Sequence, residues 1–138
     1  MNKFVLYEPI YFVARLKSTI TSGSKTIPFE TFSGNKQLVS GKFIADKAGI
    51  YLMSFTIKNA GKGSTLADLY ANGIRQCQPT SFFHPTKVGH HESSVGCTAV
   101  VKLQRGQEVY VNSDYGAWGH SSSNHPRSSF SGVLLKPI

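Results

Sequence analysis

Short apolar runs separated by turn-forming residues dominate this chain, and no stretch has the length and periodicity of a useful helix. The runs are Tyr11 to Leu16, Ile27 to Phe32, Lys42 to Ala45, Ile50 to Lys58, Thr65 to Tyr70, Arg75 to Phe82, Ser94 to Leu103, Glu108 to Asn112 and Ser129 to Leu135. Each is rich in Val, Ile, Phe, Tyr or Thr and is bounded by Gly, Pro, Asn or Ser, the pattern of β-strands. Many short strands without helices predict an all-β sandwich or barrel. In Ile50-Tyr51-Leu52-Met53 and Ala99-Val100-Val101 both alternating faces are apolar, so both faces of those strands should be covered.

The connections are unequal. Asp46-Lys47-Ala48-Gly49, Ala71-Asn72-Gly73 and Gln104-Arg105-Gly106-Gln107 are tight, and Asn-Gly is the strongest short hairpin signal among them. Lys17 to Gly41, Asn59 to Ser64, Phe83 to Glu92 and Ser113 to Ser128 are long. If tight and long connections alternate, the tight turns share one end with the termini. The long loops then share the other end, an apex on a rigid scaffold where binding residues concentrate.

At 138 residues the chain fits one domain, with residues 1–10 as an N-terminal segment and 11–138 as the globular part. Glu8 and Pro9 interrupt the apolar start, so it reads as a segment of the protein rather than as a signal peptide. Only 16% of residues are charged, which points to an oligomer interface as well as a core. The formal charge of +8 favours anionic partners. The basic residues are spread singly, without a nucleic-acid motif, which argues against nucleic acid. No run approaches the roughly 20 apolar residues of a membrane span.

Catalytic patterns are missing. There is no Gly-x-Ser-x-Gly elbow, Gly61-Lys62-Gly63-Ser64 lacks phosphate-loop spacing, and the carboxylates are too scattered for a glycosidase pair. The chain is therefore read as a non-enzyme. All five histidines fall in long loops: His84, His90 and His91 in one, His120 and His125 in another. They lack the accompanying cysteines or helical spacing of a zinc site, and solvated loop histidines are the simpler reading. The only tryptophan, Trp118, lies in Asp114-Tyr115-Gly116-Ala117-Trp118-Gly119-His120. An exposed Trp or Tyr offers a face for a sugar ring. Asp114, Asn124 and Arg127 are placed to bind hydroxyls or a carboxylate. Packing of Trp118 against a neighbouring protomer is the equal alternative. Cys77 and Cys97 flank the Phe83 to Glu92 loop at similar heights, either as a disulfide or as two buried thiols.

Three segments together carry a family resemblance. They are Phe43-x5-Gly49-x-Tyr51-x-Met53-x-Phe55, Leu69-x-x-Asn72-Gly73 and the terminal Ser129-Phe130-Ser131-Gly132-Val133-Leu134-Leu135-Lys136-Pro137-Ile138. With them the chain resembles the globular head domain of the C1q/TNF superfamily, specifically a head-only C1q-like protein, since no Gly-X-Y stalk is present. The resemblance implies an antiparallel jelly roll of two sheets, a homotrimer and an extracellular, secreted setting that favours the Cys77–Cys97 bridge. It also implies a lectin-like recognition module of innate immunity. Such a module would bind anionic, sialylated or N-acetylated glycans through its apex loops, with Asp114, Tyr115, Trp118, His120, Asn124, His125, Arg127, His84, His90 and His91 as candidates. A protein-binding signalling head is the alternative. Some relatives hold calcium at the trimer apex, but Glu30, Glu92 and Asp114 are a thin set for a hard cation, so no cofactor or metal is assigned. The chain departs from the family pattern at Met53, which replaces an aromatic, and at Gly106-Gln107, which replaces Gly-Asp.

Overall fold

A computed structural model describes residues 9–21, 25–60, 64–81, 92–114, 116–117, 119 and 127–138. Every regular element among them is a strand: β1 Tyr11–Arg15, β2 Lys25–Thr26, β3 Glu30–Gly34, β4 Phe43–Ile44, β5 Gly49–Ala60, β6 Thr65–Ala71, β7 Ile74–Cys77, β8 Thr80–Ser81, β9 Glu92–Leu103, β10 Glu108–Ser113 and β11 Ser129–Pro137. They build two antiparallel sheets. One has the order β3-β1-β11-β5-β9; the other runs β2-β10-β6-β7, with β4 also on β10 and β8 also on β6.

Two predicted strands are interrupted at proline. Of the run Ile27 to Phe32 only Glu30 to Phe32 is strand, the start of β3; β2 precedes the run in the other sheet, with Pro28 between them. Proline cannot donate to a ladder, so the chain leaves one sheet there and joins the other. The run Arg75 to Phe82 is split at Gln78-Pro79 into β7 and β8 for the same reason, and Phe82 lies outside the described residues.

Residues facing inward alternate along each long strand and close a single core. Its spine is aromatic. Phe29 packs on Phe130 (centroids 5.7 Å apart), Phe130 meets Phe12 edge-on (4.9 Å), Phe12 stacks on Phe43 (5.3 Å) and Phe43 meets Tyr51 (5.3 Å). The Tyr51 hydroxyl donates to the Lys47 carbonyl at 2.6 Å, so the one polar atom of this spine is satisfied. Met53 is fully buried, and Gly132 makes room for it. A Cβ at Gly132 would collide with the Met53 sulfur and stand 2.6 Å from Phe12 Cε1. Cys77 and Cys97 form a disulfide with Cα atoms 6.6 Å apart. The two cysteines are not neighbours in a ladder. They join β7 and β9, the edge strands of opposite sheets, and staple the open side of the sandwich.

The tight turns share the end that holds the described termini. Ile138 N donates to Ala48 O, Gly106 N to Ala45 O, and Asn72 N to Glu108 O. Asn72 (φ 52°) and Gly73 (φ 75°) both adopt the left-handed region that a two-residue hairpin needs. The connection Lys17 to Gly41 does not lie wholly at the loop end. Because β3 runs antiparallel to β1, the segment after Gly34 returns to the terminal end, where Asn35 bonds Tyr11 and Pro9, and Lys36 pairs with Asp46.

Candidate functional site

The segment between β10 and β11 leaves one sheet and rejoins the other, so it crosses the end of the sandwich opposite the tight turns. Its first residues are tied to the six-stranded sheet: Asp114 N donates to Leu66 O (3.1 Å) and Ser113 Oγ to Gly116 O (2.6 Å). Its last are tied to the five-stranded sheet: Leu16 N donates to Ser128 O and Lys58 N to Ser128 Oγ. Between these anchors the segment docks on residues 18–20. Ala117 and Ile20 exchange two backbone hydrogen bonds of 2.8 and 2.9 Å, and Gly119 N donates to Thr19 Oγ1. Gly116 has φ 85° and its Cα faces the Ile20 carbonyl, while a Cβ on Gly119 would stand 2.6 Å from the Ser18 carbonyl carbon. These two glycines are therefore required by close backbone approach.

Of the candidate ligand residues, Asp114 is exposed and Arg127 half-buried. They stand at the two feet of the segment, on opposite sheets. Tyr115, Trp118, His120, Asn124, His125, His84, His90 and His91 lie outside the described residues. Among the described residues no three metal-ligating side chains gather.

Two further features were not anticipated. Arg15 lays its guanidinium over the exposed ring of Phe32, 3.5 Å from the centroid. A groove of about 280 Å³ opens beside them, lined also by Lys17, Glu30 and Thr31. A cation held on an aromatic face in this way suits recognition of an anionic group beside an apolar ring. On the outside of the other sheet, Tyr70 stacks on Tyr110 (5.4 Å), with Arg75 and Lys42 flanking the pair. Arg75 also stands 3.3 Å from buried Asp68, an ion pair without hydrogen-bond geometry. The Tyr70 hydroxyl, with Asp68 next in effect, pushes the guanidinium further toward its charged form.

The C1q domain family matches residues 11–135. The chain belongs to the C1q domain family. Among solved structures, the globular domain of zebrafish complement 1qA protein superimposes with a TM-score of 0.71 at 16% identity, covering 94% of this chain and 99% of that one. The Eiger TNF structure from S. frugiperda superimposes with a TM-score of 0.67 at 14% identity, covering 91% and 93%. At these identities the likeness establishes the fold, the jelly-roll sandwich of the C1q/TNF superfamily. No curated protein matches the chain significantly. C1q domains are non-enzymatic recognition and signalling modules, and proteins of the family trimerise and bind ligands. No helix among the described residues is long and apolar enough to cross a membrane.

Proposed function

We propose that this protein is a secreted, homotrimeric recognition module that binds anionic, sialylated or N-acetylated glycans through the loops at the end opposite its termini. The observation that carries the reading is the suspension of the Ser113 to Ser128 segment between the two sheets, pinned at Ala117 and Gly119. Its sequence sets one Trp, one Tyr, two His and Arg127 among Ser and Gly, a composition in which rigid aromatics and adaptable polar groups share one frame. The Arg15–Phe32 pair and its groove add a cation and an apolar ring at the same end.

Support for the trimer comes from the outer face of the five-stranded sheet. Tyr11, Val133, Leu52 and Val100 are register partners in one row across four strands. The next row is Val13, Ser131, Ser54 and Thr98, also uncharged. Val100 is 61% exposed and Tyr11 40% in the single chain, and a shallow groove of about 310 Å³ runs between the rows. Burying such a surface against two further copies would release apolar area from water.

The test is a glycan array probed with the intact protein. The expected result is binding confined to sialylated, N-acetylated or otherwise anionic glycans. A blank array across all classes would instead favour the protein-binding signalling head.

A further inference from the structure

Asn72 is the one asparagine of the chain followed by glycine. Asn72-Gly73 forms the tip of the hairpin between β6 and β7, and both residues are exposed. The Asn72 backbone N–H donates to Glu108 O at 2.9 Å. Among the described residues, neither the Asn72 side-chain amide nor the Gly73 N–H makes a hydrogen bond. Beyond its chain neighbours, no atom lies within 4 Å of where a Cβ on Gly73 would stand. An electrophilic amide carbon and a backbone nitrogen are thus adjacent, uncommitted and open to water. The other described asparagines differ on both counts. Asn35, Asn59 and Asn112 precede Lys36, Ala60 and Ser113, whose side chains crowd the following nitrogen. Their amides are also engaged: Asn35 with Pro9 and Tyr11, Asn59 with Thr65, and Asn112 with Thr26.

We infer that Asn72-Gly73 is a self-modifying site that converts to isoaspartate and thereby loosens β7. The Gly73 nitrogen loses its proton to solvent and attacks Asn72 Cγ. The new N–C bond closes a cyclic imide, and the bond from Cγ to the amide nitrogen breaks as ammonia leaves. One water then opens the imide. Cleavage at Cγ gives aspartate; cleavage at the former main-chain carbonyl carbon gives isoaspartate, whose main chain runs through Cβ and Cγ. One water is consumed and one ammonia released, so no oxidant or cofactor is needed. The two products differ at the turn. Asp-Gly suits the same turn as Asn-Gly. Isoaspartate adds a main-chain carbon between Ala71 and Ile74, which the loop holds as direct partners. β7 has four residues and lies at the edge of its sheet, laddered to β6 alone. Arg75, the partner of Tyr70, is the cation set beside Asp68, whose side chain is only 6% exposed. Loss of register there withdraws the counter-charge from a buried carboxylate. The Cys77–Cys97 bridge holds the far end of β7, which keeps the change local. The hairpin belongs to the six-stranded sheet, apart from the face proposed to pack between protomers.

The experiment ages the intact protein at mildly alkaline pH and body temperature. Peptide mapping reads the mass gain of amide-to-acid conversion, and an isoaspartate-specific methyltransferase labels the rearranged product. Conversion at Asn72 should exceed that at Asn35, Asn59 or Asn112 by about tenfold or more, since those amides must first give up a hydrogen bond. The variant Asn72→Gly keeps a turn of the same type and should take no label in this hairpin. In aged wild type, a population matching the isoaspartate content should exchange its β7 amides about fivefold faster or more. Freshly prepared Asn72→Asp should exchange like unaged wild type. Absence of conversion, or conversion spread evenly over the asparagines, would overturn the inference. Conversion to aspartate alone, or isoaspartate with unchanged exchange over β7, would overturn it as well.

Discussion

Removing the Cys77–Cys97 bridge should cost the domain a large part of its stability. The bridge closes a loop of 20 residues and connects edge strands of opposite sheets, which no ladder joins. Closing a loop of that length removes about 3 kcal/mol of chain entropy from the unfolded state. Both cysteines are half-buried at the margin of the core, so Cys77→Ala/Cys97→Ala adds only a small packing loss. Replacing both avoids leaving a lone thiol. Urea unfolding at equal protein concentration should give a stability lower by about 3 kcal/mol, with a melting temperature roughly 10 °C lower. Equal concentration matters because association would contribute to apparent stability. A loss below about 1 kcal/mol would refute the reasoning, since the sheet edges would then be held together without the bridge.

Phe130→Ala should destabilise the domain by about 3–5 kcal/mol, read by the same unfolding assay, because the ring is fully buried between Phe12 and Phe29. Tyr51→Phe should cost about 1 kcal/mol at neutral pH through the lost bond to Lys47. Burial, and then Asp46, raise the Tyr51 phenol above its ordinary value of 10.0, so its contribution is complete below pH 10 and is lost as pH rises through the folded-state value. Wild-type stability should accordingly fall more steeply above pH 10 than that of Tyr51→Phe, as followed by unfolding across alkaline pH. Leu52→Glu, in the middle of the apolar row, should yield a folded monomer by light scattering; a persisting trimer would place the interface elsewhere. Under denaturing, non-reducing electrophoresis the wild type should run as a monomer, because its bridge is intrachain.

The strands were legible because β-branched and aromatic residues concentrate in runs that the fold does use as strands. β5, β9, β10 and β11 begin and end close to the expected positions, and Asn72-Gly73 makes the hairpin its sequence announces. The misreadings sit at Pro28 and Pro79, where an apolar run continues past a residue that cannot remain in a ladder. The site was only partly legible. Asp114 and Arg127 are brought to one end of the sandwich, but their attachment to different sheets follows from topology rather than from local sequence. The Arg15–Phe32 pair arises from antiparallel pairing of β1 with β3 around an irregular register, which no sequence spacing signals.

The most direct test of the central claim is Trp118→Ala, assayed together for surface binding and for mass. One loop site alone would bind weakly, and three on a rigid trimer would hold a glycan-coated surface by effective concentration. Binding to that surface should be lost, while light scattering still returns about three times the 15.1 kDa chain mass and the melting temperature is unchanged. Dissociation of the trimer would identify Trp118 as a contact between protomers. Retained binding and assembly would place recognition outside this loop, and either result would contradict the account.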